Sequence, residues 1–180
     1  MKKQTKQIIT SLLIALSIVI ILPMTTYAST EISNYLNLSG KKFASKLNLK
    51  KAPTSIFTSE DFGIYYSENG KGNTNFITIV NGCENKKGSF KIDIQKKTWT
   101  LFGVKIGMKR SKVYSKLTAK AKKYSNWNFR GSTSTHEEYS CSKWTMYVYY
   151  KSNTDKVDYI KYVPVKFTNE YNKYWNKRNS

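Results

Sequence analysis

An α+β fold of two related units, each a short helix packed on an antiparallel meander sheet, is what this sequence predicts. Three observations point there. Apolar residues alternate strictly at Phe90, Ile92 and Ile94 and again at Trp144, Met146, Val148 and Tyr150, the period of half-buried strands. Val113, Leu117, Ala121 and Tyr124 follow at spacings of four, four and three, which is one face of a helix. Finally, a shift of 70 positions lays Lys42-Phe43-Ala44-Ser45-Lys46-Leu47 over Lys112-Val113-Tyr114-Ser115-Lys116-Leu117, with four of the six identical. The same shift sets Phe76 to Val80 on Met146 to Tyr150 and Phe90 to Ile92 on Ile160 to Tyr162, in one register without a gap.

The chain opens with a secretory leader over residues 1–28. Lys2, Lys3 and Lys6 precede an apolar run from Ile8 to Leu22, Pro23 breaks it before Thr26-Tyr27-Ala28, and cleavage after Ala28 fits best. The run is shorter than the roughly 20 apolar residues that span a bilayer. A retained anchor is the alternative reading. With cleavage after Ala28 no transmembrane anchor remains, and no cysteine near the junction can accept a lipid. The protein is then secreted, extracellular or associated with the cell wall.

Residues 29–102 form the first unit. Ser39 is placed to cap a helix that carries Phe43 and Leu47 on one face. Strands follow around Phe76 and Phe90, separated by the turn signals Asn69-Gly70-Lys71-Gly72 and Asn81-Gly82. Residues 103–166 repeat the pattern, except that Lys109 stands where Ser39 does and cannot cap. Its core face is Trp144, Met146, Val148 and Tyr150, which leaves Tyr147 and Tyr149 on the wet face. Residues 167–180 are a basic aromatic tail, in which Phe167, Tyr171 and Trp175 recur every four residues with Thr168 near the start, either a docked helix or a floppy end.

Gly103-Val104-Lys105-Ile106-Gly107-Met108, followed by a helix bearing Val113 and Leu117, resembles the Gly-x-x-x-Gly-Met opening of small exported repeat domains. These are the β-lactamase-inhibitor-protein type and the small lipoproteins of outer-membrane assembly. The first unit keeps the spacing but has Asn37 and Leu38 in place of Gly-Met, and Lys109 replaces the small hydroxyl residue that usually follows the methionine. The resemblance implies a tandem α+β binding protein rather than an enzyme. It carries over no contact residue, because the match lies in the scaffold.

Composition narrows the chemistry. The formal charge is +20, and removing the leader takes three lysines and no acid, leaving +17. A hydrophobic fraction of 39% and an aromatic fraction of 14% exclude a disordered polycation. One histidine and two cysteines exclude a zinc module built by this chain alone and a multi-disulfide knot. His136 and Cys141 fall on opposite faces of an extended chain and make a poor dyad. Glu137 and Glu138 point apart for the same reason, and no phosphate-loop or dinucleotide fingerprint is present. The expectation is therefore a non-enzymatic protein without metal or cofactor.

What the chain is rich in is tyrosine and lysine. Tyr147, Tyr149, Tyr159 and Lys161 are the candidate ligand-binding residues, since rings among lysines supply contact area at low entropic cost. The alternative is that these rings pack between the two units. The expected function is a secreted binding protein acting through a basic, tyrosine-rich surface on an acidic cell-wall or surface polymer, or on an extracellular protein. The alternatives are an inhibitor of an extracellular enzyme and a secreted hydrolase whose carboxylates pair only through the fold. Nucleic acid is a weaker candidate, because export removes the protein from it. Cys83 and Cys141 can form one bridge in an oxidising compartment, worth about 4 kcal/mol on the chain-entropy view, or stay as two thiols.

Overall fold

The computed structural model describes residues 29–52, 61–67, 74–121, 128–132 and 136–180. The leader over 1–28, the turn at Asn69 to Gly72 and the helix position Tyr124 lie outside the described residues. In chain order the elements are β1 (Thr30–Glu31), a 3₁₀ turn (Ile32–Tyr35), α1 (Gly40–Lys46), β2 (Lys50–Lys51), β3 (Phe62–Tyr66), β4 (Phe76–Val80), β5 (Phe90–Ile94) and β6 (Trp99–Thr100). Then come α2 (Arg110–Ala121), β7 (Asn128–Ser132), β8 (His136–Cys141), β9 (Trp144–Tyr150), β10 (Val157–Pro164) and α3 (Val165–Arg178). The fold class is α+β, with a large antiparallel sheet.

That sheet has eight strands in the order β2-β3-β4-β5-β10-β9-β8-β7. The two predicted meanders do not form separate sheets. They join edge to edge where β5 pairs antiparallel with β10, so that neither last strand is left as an open edge. At the join Ile92 sits opposite Tyr162. Pairing registers depart from a gapless shift of 70: Ile77 lies opposite Ile92 and Met146 opposite Tyr162, which aligns β4 with β9 at 69. β1 and β6 pair in parallel as a separate ribbon.

Local chemistry explains the helices. Ser39 caps α1 as expected, its Oγ accepting from the Lys42 amide at 3.4 Å. Gly40 opens the helix against the sheet, where an added Cβ would lie 2.4 Å from Ile79 Cδ1. Phe43 is fully buried, 4.7 Å from the Phe90 ring and 6.0 Å from Trp99. In α2 the predicted stripe is realised at Val113 and Leu117, both in the core. The two motif glycines are turn residues: Gly103 and Gly107 have φ of +79° and +83°, a region open to glycine. Gly103 donates its amide to Glu31 at 2.8 Å, so β1 is fastened to the turn after β6.

The tail is a docked helix that starts two residues before the predicted boundary. Pro164 is its N-cap, with φ of −73°, and Thr168 lies exposed inside the helix rather than at its start. A proline fixes φ and lacks an amide, so it ends β10 and starts α3 together. Phe167 is buried and Tyr171 stacks on Phe62 at 5.8 Å. Phe62 and its partner Val80 belong to the face opposite Ile79, so α3 lies across the sheet from α1.

Candidate functional site

The candidate site is assembled by strand register on the face that carries α3. Tyr149 pairs with Tyr159 on one side and His136 on the other, and Tyr147 pairs with Lys161 and Glu138. Residues directly opposite in adjacent strands share a face, and period two keeps Tyr147 and Tyr149 on that same face. The four sequence candidates, Tyr147, Tyr149, Tyr159 and Lys161, are therefore brought together. His136 joins them, and only the pairing of β8 with β9 puts it there.

The rings form a continuous array. Centroids are 5.1 Å apart for His136 and Tyr149, 6.2 Å for His136 and Tyr147, 6.5 Å for Tyr147 and Tyr149, and 5.2 Å for Tyr149 and Tyr159. Lys161 Nζ stands 5.8 Å from the Tyr159 centroid, within cation–π range. All five side chains are half-buried. Each ring packs on its neighbour and keeps part of its surface accessible.

Asp93 anchors the array from the first half of the chain. It is buried, accepts a hydrogen bond from the Tyr159 hydroxyl, and has Lys91 Nζ 3.1 Å from its Oδ2. Burial and the Asp93 carboxylate both push the Tyr159 hydroxyl well above the ordinary tyrosine range. Burial raises Tyr149 too, helped by the charges of Asp93 and Glu138. Both rings stay neutral, and the Tyr159 proton is committed to Asp93. The alternation around Ile92 marks Asp93 as a wet-face residue, but its bond to Tyr159 depends on β5 meeting β10.

A second polar cluster faces the other way. Glu137 and Glu138 point to opposite faces, as their adjacency requires, and Glu137 is buried. It accepts from the hydroxyls of Tyr139 and Tyr150 at 2.5 Å each and from Arg110 Nε at 2.6 Å. Burial works to raise its pKa, but these three donors outweigh it and hold the carboxyl below 4.5. Both carboxylate oxygens are engaged by α2 and the sheet, so this cluster fastens the fold. Cys141 shares that face and His136 does not, which separates the weak dyad.

Cys83 and Cys141 are free thiols, which corrects the bridge allowed by their even number. They follow β4 and end β8, strands four steps apart in the sheet, about 19 Å at ~4.8 Å per step. A disulfide needs Cα atoms within about 7 Å. Among the described residues no group of three or more His, Cys, Asp or Glu is placed to hold a metal ion. No helix among them is long and apolar enough to cross a membrane. Comparison with known proteins finds no matching family model, no similar curated sequence and no similar solved structure.

Proposed function

We propose that the protein is a secreted, non-enzymatic binding protein that holds an acidic cell-wall or surface polymer on the aromatic face of β8, β9 and β10. The observation that carries this reading is the continuous, half-exposed array of His136, Tyr147, Tyr149 and Tyr159 with Lys161 over its edge. Rings of this kind stack on the flat faces of sugar units, the Tyr149 hydroxyl can donate to an oxygen, and lysine attracts the polymer's charge. Lysine-dominated attraction suits a long, loosely shaped anion better than a compact one, because ammonium is a hydrated point charge.

A duplicated chain supports the same reading. Strand order is mirrored about the β5–β10 join, and Ile92 faces its partner at spacing 70 across it. The bridges Ser39 to Lys87 and Lys109 to Lys156 also correspond. We read residues 29–102 and 103–166 as two related units whose spacing is 70 at the helices and last strands, 69 between β4 and β9, and 74 between β3 and β8. In the first, the cross-strand pair Phe62 and Val80 lies under α3. The pair in the corresponding place of the second is His136 and Tyr149, and it stays half-exposed. One half of the face is used for packing and the other is left for a ligand.

The test is retention of the purified protein on cell-wall material across a salt series. Binding driven by counterion release should fall steeply between low and physiological salt. Retention that ignores salt would point instead to a protein partner on the same rings.

A further inference from the structure

At the end of the sheet where β4 leaves it, α3 and the loop from Asn81 to Gly88 enclose an open trough. One part has a volume of about 540 Å³ and is lined by Lys86, Lys173, Lys177 and Arg178. A second part of about 370 Å³ adds Lys87 and Lys166 and shares Lys86, Glu170 and Lys173 with the first. All six cations are exposed. Glu170 is the one acid in the lining, and its carboxylate is already taken by Lys86 at 2.6 Å, with Lys173 at 3.8 Å. Arg178 pairs with Asp61, and even with Asp61 counted the trough keeps an excess of four positive charges.

We propose that this trough is a second binding site, for a linear polyanion whose charged groups repeat along its chain. It rests on the reading of the protein as a binder of acidic polymer and adds where that polymer's charge is held. Two features favour a chain over a single ion. From Lys166 to Arg178 the helix rises about 18 Å at 1.5 Å per residue, so the cations are strung along a line rather than converging on a point. Five of the six are lysines, which offer no bidentate fork for one phosphate or carboxylate. The concave walls also distinguish the trough from α1 and α2, whose lysines stand on exposed helix faces across the sheet. A cleft with low-dielectric walls concentrates the field of its charges, and a convex surface spreads it.

The experiment titrates the purified protein with a linear polyphosphate of defined length and, separately, with inorganic phosphate, across a salt series. The variant K86Q/K173Q/K177Q should bind polyphosphate about tenfold more weakly at physiological salt, and its slope of log affinity on log salt should be shallower by about two. A variant matched in net charge, K41Q/K42Q/K112Q, should stay close to the parent. Melting curves check folding, and if K86Q unsettles the loop the pair K173Q/K177Q carries the test. Equal losses in the two triple variants would mean net charge without a site and overturn the proposal. So would inorganic phosphate binding as tightly as the chain, or a trough variant that binds like the parent. The pair Y147S/Y149S separates the two ideas. With wall material as the shared probe, loss of retention in both variants is the expected result, loss in Y147S/Y149S alone upholds the aromatic face and overturns the trough, and loss in the trough variant alone does the reverse.

Discussion

At the residue scale, Glu137 shows what a buried carboxylate costs and returns. Taking it from water is unfavourable, and two tyrosine hydroxyls and Arg110 offset that only as a complete set. Replacing it by glutamine takes the buried anion from Arg110 and leaves the exposed Asp155 at 3.9 Å, and because Arg110 keeps 27% side-chain exposure the loss should sit at the low end for a broken buried pair, about 3 kcal/mol. Chemical denaturation of E137Q checks this, and an unchanged midpoint would remove the cluster from the stability account. The pH dependence has a definite sign. The folded carboxyl lies below 4.5, so its contribution is complete above that value and is lost as pH falls through the folded pKa. E137Q should flatten the acid limb of the parent's stability curve. Little of this was legible in the sequence, where Glu137 was only the outward-or-inward partner of Glu138. Its donors come from α2, β8 and β9, and only folding assembles them.

At the element scale, α3 decides how much of the sheet is covered. An isolated helix of 14 residues is marginal in water, so its order comes from docking through Phe167, Tyr171 and Tyr174. Truncating buried Phe167 to alanine should cost about 3 kcal/mol, and deleting residues 165–180 should lower the melting temperature further. A melting curve unmoved by either change would make the helix an ornament. The four-residue spacing of Phe167, Tyr171 and Trp175 revealed the helix, and Ser39 revealed the start of α1, because both signals are local. Which surface α3 chose was hidden, since Phe62 and Asp61 are more than 100 positions away in the chain. The strands fared similarly. Alternation separated the dry side of β9 from Tyr147 and Tyr149, while the place of His136 beside them required a register that alternation does not set.

At the scale of the whole molecule, the decisive fact is that two meanders fuse into one sheet through β5 and β10. That join lets Asp93 reach Tyr159, keeps Cys83, which follows β4, four strands from Cys141 in β8, and sets the aromatic half of the face beside the half that α3 covers. Unfolded, unreduced protein should accordingly titrate two thiols, and a count near zero would contradict the strand order. The recurrence of helix and strand residues at a spacing of 70 was visible in the sequence. The spacing of 69 between the facing positions Ile77 and Met146 was not, because a shift of one there leaves residue types much alike and shows only in which residues face each other. The central claim is that the rings of β8, β9 and β10 bind the acidic polymer, and chemical-shift mapping with a soluble fragment of wall polymer tests it most directly. The account predicts shifts centred on His136, Tyr147, Tyr149, Tyr159 and Lys161, with the α1 and α2 side of the sheet silent. Shifts that leave those five residues unmoved while binding is saturated would contradict it.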